Sequence, residues 1–392
     1  NDSICTLISF CGGSKSQPDW LWSSKVDGYF NFDVGKGEDD KSIQSSIGMD
    51  RVADIRHLIS NRHLQVFTAN AEFYCPQSET SVLTPENFNI RRQTTYGSNF
   101  VNAKAFDGGT MFVQKSGRTV RELLFTDTEL SYSANSLSLL SSHLILTPID
   151  LAVFNGSANR PEQYALFVNN DGTIANFHSV RTEKIAGWTH WSQTGASFKS
   201  VEAVGTRCFF TVLRGSDYFL EELGDESNTL DHSKTYTIGS AGLTFTGLTD
   251  YNNKTVKVRT GDYYLGEFTV SGSGVLTLSA GMECDTITVG YDYSVTAETM
   301  PVEAVLSSGS LRGQPKRVSR VIMGLDSSLA SSLDGSQITL RQVTDDFSIA
   351  PSSFTGLKEF YVLGYGKDRT ITITQSDPLP MRITGLVMEY GF

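Results

Sequence analysis

An all-β protein is what the sequence predicts, on three observations. Ser, Thr, Gly and Asn are abundant while Ala-Leu-Glu-Lys runs are scarce, a balance that favours short strands and many turns. Most of the chain alternates apolar and polar residues in short runs broken by Gly, Asn or Asp. Three such runs form hairpins with glycine at or beside the turn: Met111-Phe112-Val113 to Thr119–Leu123 through Gly117, Leu166-Phe167-Val168 to Thr173–Phe177 through Gly172, and Phe209–Val212 to Tyr218–Glu221 through Gly215. Glycine supplies the positive φ that hairpin turns need. The irregular recurrence of these hairpins fits propeller blades and a meandering β-sandwich equally.

In chain order, two segments read as exceptions. Residues Ile47 to Ile59 place Ile47, Val52, Ile55, Leu58 and Ile59 near one stripe, which predicts a helix. Asn135 to Ile145 carry Leu137, Leu140 and Leu144 at helical spacing and stop before Pro148. Composition shifts near Leu230. From Lys234 to Thr299 the chain is rich in Thr, Gly, Val and Tyr. Four clean strands are read there, at Thr255–Arg259, Glu267–Val270, Val275–Leu278 and Ile287–Gly290. This predicts a small antiparallel β-module. After Met300-Pro301 the mixed pattern resumes. The expected organisation is a large body in residues 1–230, an inserted module in 231–299, and a return to the body in 300–392.

Charge and composition narrow the function classes. The 392 residues carry a net charge of -11, with 39% apolar residues. That is enough for a real core. An acidic chain lacks the basic face that phosphate gripping requires, although like charge suits a surface past which DNA must slide. No stretch has the length and apolarity of a membrane helix. The five cysteines are odd in number, widely spaced and free of CxxC, so buried free thiols are expected. No secretory signal is read at the start.

Motifs for chemistry are weak. The six histidines lack the HxH or HxxxH spacing of a metal site. There is no GxSxG elbow and no Walker loop. No catalytic, metal or cofactor residues are assigned, and no cofactor is expected. Glu221-Glu222 serves as a glycosidase acid pair only with a partner across a cleft. The Trp188-Thr189-His190-Trp191 cluster is the strongest aromatic group. Trp188 and Trp191 are read as core anchors or a subunit contact, with sugar stacking as the alternative. The triplet Glu38-Asp39-Asp40 and the pair Asp225-Glu226 are expected at a loop tip or a channel wall.

Several segments, in order, resemble the tail nozzle proteins (tail tubular protein B) of short-tailed bacteriophages, the podoviruses. Gln17-Pro18-Asp19-Trp20, followed by Trp22–Phe32, is similar to the family's P-x-W-x-S-x-x-G-x-x-x-N-F region. His63–Phe73 resembles L-x-V-F-T-x-x-x-E, and Phe112–Glu122 resembles F-V-Q-x-x-G-R-x-V-R-E. Asp171-Gly172-Thr173 leads to Ala186-Gly187-Trp188 and Gly195–Val201, like D-G-T-L … A-W … G-x-F-x-S-V. Thr246-Gly247-Leu248, Lys254-Thr255-Val256 and Val289-Gly290-Tyr291 are similar to the family's G-L … G-K-x-V … V-G-x-x-Y, and Gln375–Pro380 to its Q-x-D-P-L-P. Val26-Asp27-Gly28 is one residue looser than the usual pattern.

The resemblance implies an all-β fold, a β-propeller-like body with an inserted small antiparallel β-sandwich or barrel module. It implies a non-enzymatic virion protein in a homo-hexameric ring, held by a tail adaptor, carrying tail fibres and passing double-stranded DNA without specific binding. It implies location in the virion tail after assembly in the host cytoplasm. The family carries a further N-terminal region the size of an extra domain, so the chain is expected to be part of something longer. The competing expectation is a receptor-binding or carbohydrate-active tail protein.

Overall fold

The computed structural model describes residues 8–36, 38–48, 54–76, 83–158, 160–225, 228–303, 305–306, 309–310, 312–338, 340, 344, 346 and 351–391. The chain divides into two compact units, Asn1–Leu223 and Gly224–Phe392.

Among the described residues, the first unit holds five antiparallel sheets in chain order. Sheet 1 is β1 (Phe10–Gly12), β2 (Trp20–Ser23) and β3 (Gln44–Ser46). Sheet 2 is β4 (Ile55–Ser60), β5 (Leu64–Thr68), β6 (Glu72–Cys75) and β7 (Arg91–Thr94). Sheet 3 is β8 (Lys104–Phe106), β9 (Gly109–Val113), β10 (Val120–Thr126) and β11 (Ser131–Ser136). Sheet 4 is β12 (Pro148–Phe154), β13 (Tyr164–Asn169), β14 (Ile174–Val180) and β15 (Ile185–Trp191). Sheet 5 is β16 (Ala196–Val204), β17 (Arg207–Arg214) and β18 (Asp217–Glu222). In each sheet, neighbours in the chain are neighbours in space. The three predicted hairpins are β9–β10, β13–β14 and β17–β18, and Gly117, Gly172 and Gly215 have φ of 69°, 87° and 64°.

Strand alternation turns these meanders into a stack. On β13, Ala165 and Phe167 enter one core with Met111, Val113 and Val120 of sheet 3. Their neighbours Leu166 and Val168 enter another with Val201, Phe210 and Val212 of sheet 5. On β9, Phe112 faces the other way, packing with Phe67 and Tyr74 of sheet 2. On β5, Leu64 and Val66 pack with Leu21 of sheet 1. Central strands buried on both faces account for the continuous apolar runs such as Met111-Phe112-Val113. Burying one such side chain contributes about 1.5–3 kcal/mol. Three- and four-stranded meanders stacked face to face in chain order are the arrangement of a β-propeller-like body.

Neither predicted helix forms among the described residues. Ile55–Ser60 of the first is strand β4, and residues 49–53 lie outside the described residues. In the second, β11 runs to Ser136, and only Ser142–Leu144 form a 3-10 turn. Val120 N–H donates to Ser138 Oγ at 3.0 Å, and Leu137 N–H donates to the Val120 carbonyl at 3.0 Å, which pins this segment along β10.

The second unit begins with the predicted module. It comprises β19 (Asp231–Gly242), β20 (Thr244–Thr246), β21 (Thr255–Thr260), β22 (Tyr263–Thr269), β23 (Val275–Thr277) and β24 (Cys284–Tyr291). A four-stranded sheet, β19-β24-β21-β22, and the β20-β23 pair share one core around Phe245, Tyr251, Val256, Val258, Leu276 and Ile287. Then follow β25 (Val295–Glu298), β26 (Val305–Leu306), β27 (Gly309–Ser310), β28 (Arg317–Ser328), β29 (Ser332–Leu333), β30 (Ser336–Gln337), β31 (Phe354–Tyr361), β32 (Thr372–Gln375) and β33 (Ile383–Gly391). Sheets β25-β32-β29-β30 and β31-β28-β33 enclose a core of Val321, Met323, Leu325, Ile371 and Ile373. Residues 300–392, expected to rejoin the first body, therefore group with the module in the second unit. The reason is β25, which pairs with β32 as soon as the chain leaves the module. Of the described cysteines, Cys75 and Cys208 are buried free thiols, Cys284 is half-buried, and Cys11 is exposed, against expectation.

Candidate functional surfaces

The acid triplet lies in the loop joining β2 and β3, and Glu38, Asp39 and Asp40 are all exposed. The loop is internally tied. Lys25 Nζ meets Asp40 Oδ2 at 2.5 Å, and Lys41 Nζ lies 3.5 Å from Glu38 and 3.7 Å from Asp33. The Lys25 ammonium holds the Asp40 carboxyl below its usual range. Beside these acids the loop displays Tyr29, Phe30 and Phe32, with Phe30 97% exposed. Asp225 is exposed just past the division between the units. Glu226 lies outside the described residues.

Trp188 and Trp191 sit on β15, three residues apart, so their side chains leave opposite faces of sheet 4. Trp188 packs against Phe167 and Phe177, with ring centroids 5.5 and 4.8 Å away, and its Nε1–H donates to the Leu137 carbonyl at 2.9 Å. Trp191 packs against the core shared with sheet 5. The two rings are anchors of separate cores and form no joint stacking platform. Glu221 and Glu222 also part company. Glu221 takes a two-point pair from Arg214 (2.7 and 2.8 Å), and Glu222 takes one from Arg207 (2.6 and 2.5 Å). Adjacent residues on a strand face opposite ways, so the two carboxylates do not face one common site. Among the described residues, no three His, Cys, Asp or Glu converge as metal ligands.

Buried polar groups act as ties between sheets. Glu72, on β6, is fully buried and accepts hydrogen bonds from Thr94 Oγ1, from Tyr96 N–H (3.3 Å) and from Ser98 Oγ (3.5 Å). Burial pushes its carboxyl up, against the pull of these donors. The Glu72 network thus organises the chain leaving sheet 2 for sheet 3. Arg56, on β4, donates to the Ser98 carbonyl (2.7 Å) and stacks over Phe100 at 3.9 Å. Asp150 of β12 accepts from Val201 N–H of β16 at 3.0 Å, and Lys104 of β8 reaches Glu202 of β16 at 3.5 Å. First strands of sheets 3, 4 and 5 are thereby drawn together at one edge of the stack. Burial lowers the proton affinity of His57 and His63. His57 Nε2 lies 2.8 Å from the Asn99 carbonyl, and His63 Nδ1 lies 3.0 Å from Tyr132 Oη.

In the second unit, the Gln375–Pro380 segment is a strap between the module and the C-terminal sheets. Buried Lys257 of β21 donates to the Ser376 carbonyl (2.5 Å) and pairs with Asp292 (2.7 Å). Thr229 Oγ1 donates to the Pro378 carbonyl at 2.5 Å, and Gln375 Nε2 donates to the Leu379 carbonyl at 2.9 Å. Burial and the carboxylates of Glu267, Asp377 and Asp292 push the Tyr264 phenol up to about 12. A cavity of about 160 Å³ beside the strap is lined by Thr229, Tyr293, Gln375, Asp377 and Met381. That is below the size of ordinary ligand pockets, about 300–1,000 Å³. Sequence reasoning missed Lys257. Its signal is a lysine flanked by Val256 and Val258 in an otherwise Thr/Val strand.

No family model and no curated protein matches the chain. Among solved structures it is similar to exo-β-1,3-galactanase from Phanerochaete chrysosporium. A single-residue variant of that enzyme with β-1,3-galactotriose gives 8% identity, a TM-score of 0.28, and coverage of 97% of this chain and 95% of that one. It is also similar to BBS1N in complex with ARL6DN, at 10% identity and a TM-score of 0.28, over 70% of this chain and 92% of that one. These likenesses carry no functional assignment.

Proposed function

We propose that this chain is a structural, non-enzymatic subunit of the tail nozzle of a short-tailed bacteriophage. The observation that carries the reading is the ordered run of segments, from Gln17-Pro18-Asp19-Trp20 to Gln375–Pro380, that resembles nozzle proteins. A conduit works by shape and potential, and two features support that mode of action. The five sheets are locked face to face by shared cores and by buried polar ties, which suits a rigid wall. The net charge of -11, repeated around a homo-hexameric ring, keeps DNA from adhering while it passes. Glu38, Asp39, Asp40, Asp225 and Glu226 are the acids assigned to the channel or to loop tips. A tail adaptor and fibres are the partners, and the ring closes the genome in before conducting it out.

The test uses intact particles. Antibody raised to the chain labels the tail, and the combined substitutions Glu38→Lys, Asp39→Lys and Asp40→Lys slow genome ejection, with added salt restoring the rate. Label confined to the capsid, or capsule-degrading activity in the purified chain, overturns the reading in favour of a carbohydrate-active protein.

A further inference from the structure

Asn155-Gly156 is the sole Asn-Gly pair in the sequence. It opens the loop from β12 to β13, and the fold anchors it on both sides. Phe154, the last residue of β12, pairs with Tyr164. Ser157 N–H donates to the Arg160 carbonyl at 2.6 Å, and Arg160 N–H donates to the Ser157 carbonyl at 3.2 Å. Gly156 sits between these anchors with φ of 85°. A Cβ there would lie 2.7 Å from the Pro161 carbonyl oxygen, so the position requires glycine. Asn155 is exposed.

Three features make the pair reactive. With no side chain on Gly156, nothing on that residue shields its nitrogen. Among the described residues the Gly156 N–H donates no hydrogen bond, so the nitrogen is not tied to an acceptor. Gln163 Nε2–H donates to Asn155 Oδ1 at 2.6 Å. That donor draws electron density from the amide carbon and meets the oxygen on which charge develops when a nucleophile adds. Two Asp-Gly pairs are held differently. Gly28 N–H donates to the Lys25 carbonyl at 3.1 Å, and Gly172 N–H donates to the Asn169 carbonyl at 3.0 Å.

We propose that Asn155 is a site of spontaneous deamidation through a cyclic imide formed with Gly156. The Gly156 nitrogen gives its proton to a solvent base and bonds to Asn155 Cγ. The Cγ–Nδ2 bond breaks, and Nδ2 takes up a proton and leaves as ammonia. Water then opens the ring at either carbonyl. One product is aspartate; the other is isoaspartate, in which the main chain runs through Cγ. Each event adds one negative charge to the formal -11 of the chain. The inference goes beyond the nozzle reading and does not depend on it.

Peptide mapping of the purified full chain, kept folded in mildly alkaline buffer, tests this. The peptide that holds Asn155 is expected to gain the mass of O in place of NH and to split into aspartyl and isoaspartyl forms, faster as pH rises. Asp27 and Asp171 are expected to stay free of isoaspartate. Gln163→Leu is expected to slow the conversion several-fold, less than the ~10²–10³-fold contributed by an enclosed oxyanion donor. Should that variant misfold, Gln163→Glu keeps the size and removes the donor. A synthetic peptide of residues 151–158 gives the rate without the fold. Intact Asn155 in the folded chain while this peptide converts overturns the site. Aspartate without isoaspartate overturns the cyclic route. A donor-less variant that converts at the wild-type rate or faster overturns the part of Gln163. Isoaspartate at Asp27 or Asp171 to the same extent as at Asn155 overturns the protection ascribed to a bonded glycine nitrogen.

Discussion

Arg181, in the turn after β14, grips both carboxylate oxygens of Glu122 on β10: Nη1 donates to Oε2 at 3.3 Å, and Nη2 donates to Oε1. Glu122 is buried, and Arg181 is 41% exposed at its side chain. The pair fastens sheet 4 to sheet 3, with Asp107 as a second acceptor at 3.3 Å. Gly109 is glycine because a Cβ there would collide with the Glu122 carboxylate. Arg181→Ala strands a buried carboxylate. Breaking a fully buried pair costs about 3–5 kcal/mol, and partial exposure of the arginine reduces this to about 2 kcal/mol. The expected result is a lower urea midpoint for the first unit. An unchanged midpoint would show that the clamp is energetically idle.

Glu72 gives a pH signature. Its folded-state pKa is raised above 4.5 by burial, so the folded chain keeps a proton that the unfolded chain loses. Its stabilising contribution is full below the unfolded value and is lost as pH rises through the folded value. The stability of the wild type relative to Glu72→Gln is therefore expected to fall as pH rises above 4.5. Urea titrations of both proteins across this range measure the difference, and a flat difference refutes the assignment.

His63 runs the other way. Burial, then the nearby Arg62 charge, lowers its pKa below 6.5. The folded chain thus binds fewer protons than the unfolded chain, and the contribution present above 6.5 is lost as pH falls through the folded value. His63→Phe keeps a ring against Tyr74, Phe125 and Tyr132. It is expected to flatten that acid-side loss, read from thermal midpoints between pH 7 and 5. A variant whose midpoints track the wild type at every pH excludes His63 as the source.

Gly97 has φ of +73°, and a Cβ would press on the Ala69 carbonyl of the β5–β6 turn. Gly97→Ala is expected to destabilise the first unit by about 1–3 kcal/mol, from left-handed strain plus collision. Calorimetry measures it. A change within the error of ordinary surface substitutions contradicts the geometry.

Lys257→Met removes the donor that holds the Ser376 carbonyl and the partner of Asp292. A cost of about 1–3 kcal/mol is expected in the second unit, as for a buried acceptor left unsatisfied. Amide hydrogen exchange is expected to rise over residues 376–380 while β13 and β14 stay protected. Unaltered exchange in the strap argues that its other bonds suffice.

The hairpins were legible because alternation and a turn glycine are both local signals, as at Gly117 and Gly172. The false helix at 47–59 has a physical cause. A β-bulge between Ile55 and His57 adds a residue to β4, so Ile55 and Leu58, three apart, pack on the same core and imitate helical spacing. Leu140, assigned to a helical stripe, is 92% exposed. The exposed loop placement of Glu38, Asp39 and Asp40 could be read from a run of like charges. The ties Asp150–Val201 and Glu72–Tyr96 could not, because they join segments distant in the chain through single backbone groups.

The face-to-face series has a consequence for how the chain comes into being. Each inner sheet draws its burial from the sheet made before it and the one made after it, as in a solenoid with nearest-neighbour coupling. Synthesis can therefore lay down the first unit progressively, each new meander docking on a template already in place. Trimming a terminal sheet exposes one apolar face, whereas excising sheet 3 exposes two and severs the series.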